Sequence, residues 1–328
     1  MERRSSTMCI TPIAGIVRFA DGPEMLSIGP VRFVSWGSLS TNWAELGFIE
    51  NPQAQASEGW FEDMDVMDVV AVSPSTLPPR EAVDHAISSV THALKLLLAC
   101  NCSWGPGGTP KRPLVGMTTT HRTGFVYSQD TGDSRWSVSG RSTGPIQEIK
   151  FDGFWNGNQK AGFYNELNLL NSPTTRAPLT WINRLLNVTA TLGHARLATT
   201  EWEAFLFSMI GIERLLKSSR KTWSESVPPR LQDAFAWLRS KPGYEEKVQG
   251  LYTLRNAVAH EGRVNDVSRR DVEIADEILF NLLLLAYKHL DEAKDIAQLV
   301  SRGKKQGMQK GKRPKNPALP NAIAVLSG

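Results

Sequence analysis

The chain is 328 residues long, 41% hydrophobic and 21% charged, enough to bury a sizeable core and to hold two domains. No apolar run reaches membrane-spanning length; Leu279 to Ala286 is short and interrupted by Asn281. The formal net charge of +4 belongs to one stretch, because Arg302 to Lys315 carries seven basic residues and no acidic one, leaving 30 basic against 33 acidic elsewhere. That tail, 300–328, is rich in Gly, Lys and Pro, cannot build a core and reads as disordered. It is either a solvated terminus or a loose holder of an RNA backbone. The opening Met1-Glu-Arg-Arg-Ser-Ser-Thr-Met8 has charge without an apolar core after it, and Cys9, Cys100 and Cys102 form no disulfide framework. Both features point to a cytoplasmic location rather than to secretion.

Residues 8 to about 75 read as short strands and turns. Ile13 to Phe19, Glu24 to Ile28 and Val31 to Trp36 are apolar runs parted by Asp21-Gly22-Pro23 and Gly29-Pro30. Trp36, Trp43 and Trp60 are read as packing residues rather than binding aromatics. After Pro78-Pro79 the period changes, and Val83, Ala86, Ile87, Val90, Ala93, Leu94 and Leu97 predict a helix over Arg80 to Ala99. His85, His92, Cys100 and Cys102 follow no spacing of paired zinc ligands, so no metal site is expected. The loop 101–113 has three glycines and a lysine but not the spacing of a phosphate-binding loop. Residues 114 to 155 alternate weakly, at Gly124 to Tyr127, Arg135 to Val138 and Ile146 to Phe151, and predict a small sheet. Residues 1–155 are therefore read as an α+β domain without a catalytic constellation, and 156–178 as a linker.

Beyond Pro178 the pattern is helical, and 179–299 is read as an all-α bundle. Trp181, Leu185, Val188, Leu192 and Ala195 form one stripe. Thr200-Glu-Trp-Glu203 is a capping-box pattern opening a second helix. There Leu206, Met209, Ile210 and Leu216 make the stripe, and Glu213 falls inside it. Val227-Pro-Pro229 is read as the start of a third helix, with Leu231, Ala234, Phe235 and Leu238 inward, ended by Lys241-Pro-Gly243. A fourth helix begins near Tyr244. Ser268-Arg-Arg-Asp271 caps a last one, expected to run to about Leu299 and apolar on more than one face.

The fourth helix carries the chemistry. Val248, Leu251, Tyr252 and Val258 mark its apolar stripe, and Arg255 lies on that stripe. An inward guanidinium needs a partner or a ligand, and Glu213 is the candidate, since a carboxylate facing a core needs a cation or a proton. His260 follows Arg255 by five residues, about 140° round an ideal helix. The two side chains converge only if the helix loosens before His260, and Gly262 supplies the stop.

Tyr252-x-x-Arg255-Asn256-x-x-x-His260-x-Gly262 resembles the motif of the HEPN family, particularly its Apea-like branch. Gly211-Ile-Glu-Arg-Leu-Leu216 is similar to the segment where that branch carries an inward Glu. A second arginine–histidine spacing, Arg80 to His85, lacks the asparagine and opens a helix, so it is set aside. The resemblance covers roughly the C-terminal 120 residues. It implies an all-α bundle and a metal-independent RNA endonuclease without cofactor, acting as a homodimer with two motifs facing across a cleft. In that scheme Arg255, Asn256 and His260 are catalytic and Glu213 and Tyr252 support them. His260 acts as general base or acid, Arg255 neutralises charge on the phosphorane, Asn256 orients the histidine or the phosphate, and Glu213 holds Arg255. A toxin or antiviral-defence setting follows, with residues 1–155 sensing a trigger ligand. Gly262 stands where the branch partnered with small nucleotidyltransferases often has tyrosine, which speaks against that pairing. The alternative is a non-catalytic RNA- or nucleotide-binding module, or a structural dimerisation module.

Overall fold

Strand β1 (Thr7–Ala14) is the axis of an antiparallel sheet, although its sequence does not advertise a strand. In the computed structural model the described residues are 7–14, 16–18, 24–48, 51, 69–100, 114–115, 122–128, 134–138, 149–151, 162–170, 175–217, 221–235, 243–290 and 299. Trp60, Cys102, the loop 101–113, Leu238, Lys241-Pro242 and the basic tail lie outside them. The chain divides into two units, Met1–Leu94 with Thr109–Gly157, and Lys95–Gly108 with Asn158–Gly328.

In the first unit β2 (Ile16–Arg18), β3 (Met25–Ile28), β4 (Val31–Ser35), α1 (Trp36–Asn42), β5 (Val69–Ser75) and most of α2 (Pro79–Cys100) follow β1. β6 (Leu114–Val115), β7 (Arg122–Ser128), β8 (Ser134–Val138) and β9 (Ile149–Phe151) complete it. The seven-stranded sheet has the order β3-β4-β5-β1-β7-β8, with β6 also on β1, while β2 pairs with β9 in parallel. The apolar run from Ile13 to Phe19 is thus not one strand. β1 starts six residues earlier and is broken from β2 after Ala14. Pro12 stands between the part of β1 paired to β7, ending at Ile10↔Phe125, and the part paired to β6, starting at Ile13↔Val115. A residue without an N–H is tolerated where the ladder changes partner. The strands of 114–155 do not make a separate small sheet, because β7 and β6 add directly to β1.

Period-two alternation decides what each face of β1 meets. Met8 and Ile10 join Val34, Val70 and Val72 under Trp36 and Leu39 of α1, with Leu46 and Phe48 closing the cluster and Trp43 packed on it. Trp36 therefore begins a helix rather than ending a strand; Ser35 caps it, its hydroxyl accepting from Ser38 N at 3.0 Å. Cys9 faces the other way, onto Ala82 and Ala86 of α2. Burial pushes its thiol up to about 12, so Cys9 behaves as a small apolar residue. His85 and His92 are exposed on α2, whereas Cys100 is buried and donates to Leu97 O.

The second unit is helical: the end of α2, then α3 (Tyr164–Leu169), α4 (Leu179–Leu197), α5 (Glu201–Leu216), α6 (Trp223–Ala234), α7 (Tyr244–Glu261), a 3-10 turn (Val264–Asp266) and α8 (Arg269–Lys288). The span 156–178, read as a linker, contains α3. α8 lies at the centre, packed against α3, α4 and α5, which explains why Ile274 to Leu284 are buried without interruption. It is capped by Ser268 and Asp271 as the sequence indicates, and its helix ends at Lys288; 291–298 lie outside the described residues. α6 starts four residues before Val227, because Thr222 and Glu225 form a complete capping box. Pro228 and Pro229 are inside the helix, and Tyr244 donates its hydroxyl to the Pro228 carbonyl. No helix of the described residues is long and apolar enough to cross a membrane.

Two close approaches fix the bundle. A Cβ on Gly193 of α4 would stand 1.9 Å from Lys95 O, and one on Gly211 of α5 would stand 2.4 Å from Leu279 Cδ2 of α8. Arg196 ties the same elements together electrostatically. Its Nε and Nη2 donate to the Asp276 carboxylate at 2.8–3.1 Å, and its Nη1 to Leu98 O at 2.6 Å, one of the last carbonyls of α2. The guanidinium also lies 5.2 Å from the Phe280 ring centroid.

Candidate functional site on helix α7

α7 runs between two left-handed glycines, Gly243 before it and Gly262 after it, each with φ 70°. At the far end Gly262 N donates to Ala257 O, a 6→1 bond that closes the helix at the glycine, and Arg263 N reaches the same carbonyl at 3.2 Å. The helix is continuous to Glu261, so it does not loosen before His260. Arg255 and His260 consequently remain about 140° apart around the axis. Val248, Leu251 and Val258 are buried as the stripe requires, while His260 is exposed in the last turn.

The structure brings Arg255 and Glu213 together. Arg255 Nη2 donates to Glu213 Oε2 at 3.3 Å, and Arg255 Nη1 to Asn256 Oδ1 at 3.0 Å. The two ionic side chains are 21% and 15% exposed, against 6% and 4% for Arg196 and Asp276. Arg255 Nε is buried and has no hydrogen-bond partner among the described residues. This is a loosely made pair: one contact, at the long end of the range, where a two-pronged fork is available to Arg.

Glu213 reaches Arg255 because the buried face of α5 is turned from the one its sequence pattern marks. Phe205, Met209, Ile212 and Leu216 are buried, with Ala204, Ser208, Gly211 and Leu215 beside them. Leu206, Ile210 and Glu213 lie half-buried on the flank. Gly211 permits this rotation by letting Leu279 approach. Thr200 caps the helix, though Glu203 accepts from the Thr200 hydroxyl at 2.7 Å where a full capping box has it accept from the backbone N–H.

The other members divide. Asn256 accepts from Arg255, so its carbonyl steers the guanidinium and not His260. Tyr252 stacks on Trp223 of α6, with centroids 4.5 Å apart and planes at 11°, and so holds α7 against α6. Sequence reasoning passed over Arg196 and Asp276. Arg196 looks like a last-turn cation on α4, and Asp276 is hidden among the apolar residues of α8. His194 was likewise missed: its ring lies 4.0 Å from that of Phe207, and burial, with Lys95 nearby, lowers its pKa against the opposing pull of Glu203.

No family model, curated protein or solved structure matches this chain. The site's chemistry therefore rests on its own geometry.

Proposed function

We propose that the helical unit is a metal-independent RNA endonuclease of the HEPN type, working as a homodimer. The observation that supports this reading best is the contrast between two arginine–carboxylate pairs in one bundle. Arg196 and Asp276 are dry, forked and completed by backbone carbonyls, as a structural pair should be. Arg255 and Glu213 are half-buried, joined by one long contact, and next to the exposed end of α7 that carries His260. An arginine oriented but not saturated retains donors for a phosphate.

The chemistry suits these residues. RNA brings its own nucleophile, the ribose 2′-hydroxyl beside the scissile phosphate. His260 takes the hydroxyl proton or gives one to the leaving oxygen. Arg255 stabilises charge building on the phosphorane, with Asn256 and Glu213 holding its plane. The regularity of α7 keeps Arg255 and His260 on different sides of one helix, so one phosphate meets both only if a second copy supplies one of them. A sensing role for the sheet unit, a defence or toxin setting and a cytoplasmic location belong to the same proposal.

A second reading has one observation in its favour. Arg255 already has two hydrogen-bond partners, so the motif can serve as a register-fixing pair in a non-catalytic RNA- or nucleotide-binding or dimerisation module. The test incubates wild type and His260→Ala with total RNA and a chelator, and examines products for 2′,3′-cyclic phosphate ends. Cleavage by wild type alone supports the nuclease. Equal cleavage by both removes His260 from the chemistry, and cleavage by neither favours the second reading.

A further inference from the structure

The second unit holds an open groove of about 1030 Å³ between α4 and α5. Asn183, Arg184 and Asn187 line it from α4, and Glu213, Arg214 and Lys217 from the end of α5. All but Glu213 are exposed. The groove thus shares Glu213 with the Arg255 pair and leads away from it.

Its charge is one-sided. Three cations face a single carboxylate, and that carboxylate already accepts from Arg255. None of Arg184, Arg214 and Lys217 forms an ion pair with a described carboxylate. The two arginines are nonetheless positioned, and Arg230 is held beside them. Arg184 Nε donates to Arg214 O at 2.9 Å, Arg214 Nη1 to Thr191 Oγ1 at 3.2 Å, and Arg230 Nη1 to Leu216 O at 2.7 Å. The carbonyls at the end of α5 lack helical partners and anchor two of these guanidiniums. Partial burial of its guanidinium, and then the charge of Arg230, lower the pKa of Arg184. A bound anion would meet three cations against one carboxylate that already has its partner.

We propose that this groove is a phosphate-binding track for an RNA strand, delivering it along Lys217, Arg214 and Arg184 to the Arg255 end of α7. Asn183 and Asn187 are four residues apart on one face of α4 and supply neutral donors and acceptors for ribose and base edges, which a purely acidic peptide does not need. The inference rests on the RNA-directed reading of the motif, but its test is binding and not cleavage.

The experiment uses the full chain carrying His260→Ala, so that no strand is cut, with chelator present. A labelled single-stranded oligouridylate of about 20 nucleotides is titrated by fluorescence anisotropy between about 50 and 200 mM salt. Adding Arg214→Gln and Lys217→Gln together should weaken binding about tenfold at low salt and flatten the logarithmic salt slope by about 1.4, two lost single-strand phosphate contacts. Arg32→Gln, which removes a cation from the sheet unit, should change neither. If the double variant does not fold, Lys217→Gln alone decides, since its side chain makes no described hydrogen bond, and the slope should flatten by about 0.7. Unchanged affinity and slope would overturn the proposal, as would absence of binding by the parent or tighter binding of a polyglutamate of equal charge. If neither wild type nor His260→Ala cleaves RNA while the groove variants lose binding, the nuclease assignment fails and the groove stands. Unmoved binding beside His260-dependent cleavage fails the groove alone.

Discussion

Arg255 and Arg196 show how one residue type takes two roles within a single bundle, decided by burial and by how many donors are spent. Arg196 is wholly desolvated, and removing its counter-charge strands a buried cation. Asp276→Asn should therefore lower stability by about 3 kcal/mol in urea unfolding. Glu213→Gln touches a half-buried pair with one long contact and should cost no more than about 1 kcal/mol, while lowering any RNA cleavage. Equal destabilisation by the two would contradict the distinction. His194 gives a second residue-scale expectation. Its pKa is lowered in the folded state by burial and by Lys95, so below the ordinary histidine range the unfolded chain binds the proton more readily. Its neutral form supports the fold at and above neutral pH. Stability is lost as pH falls below the unfolded value of 6.5, until the folded group also protonates. Replacing it by Gln should flatten the fall in stability between about pH 7 and 5, read by thermal unfolding across that range.

At the scale of elements, three glycines on three helices should respond to alanine with different signs. Gly250 is exposed in α7 with nothing within 4 Å of an added Cβ, so Gly250→Ala should stabilise by about 0.5–1 kcal/mol through helix propensity. Gly211→Ala meets the Leu279 side chain, which can turn aside in part, and should cost about 1–2 kcal/mol. Gly193→Ala meets the Lys95 backbone carbonyl, which cannot, and should cost about 3 kcal/mol or prevent folding. Chemical denaturation of the three variants gives the order directly. These contacts also mark where the elements were legible in the sequence. α4, α7 and α8 followed their apolar spacing, and Ser268 with Asp271 marked the start of α8. β1 was obscured because Thr, Cys and Pro12 interrupt its apolar character, and because a central strand is defined by distant partners. α6 was misplaced because Pro228-Pro229 looked like a beginning, while Thr222 and Glu225 had already supplied one. The rotation of α5 followed from Gly211, whose close contact with Leu279 no local pattern reveals.

For the whole molecule, the pairing of Arg255 with Glu213 was legible, since two charges on apolar stripes need each other, but the position of His260 was not. The sequence left open whether the helix relaxes after Val258. Closure at Gly262 keeps it regular through Glu261 and points the histidine away from the arginine. On that geometry the proposed chemistry takes Arg255 from one copy and His260 from another, and a mixing experiment tests it. In a twofold assembly whose sites take Arg255 from one copy and His260 from the other, each single substitution kills both sites of its homodimer. Arg255→Ala and His260→Ala chains, unfolded together and refolded at equal concentration, form mixed dimers in about half of the assemblies, each with one site intact. Activity on RNA should then return to about a quarter of wild type, although each variant alone is inactive. Sites built within one chain give no recovery, because every mixed dimer still lacks one of the two groups in each site. A silent mixture whose mass shows that dimers formed would place Arg255 and His260 in a site of one chain and remove the reason for a shared one.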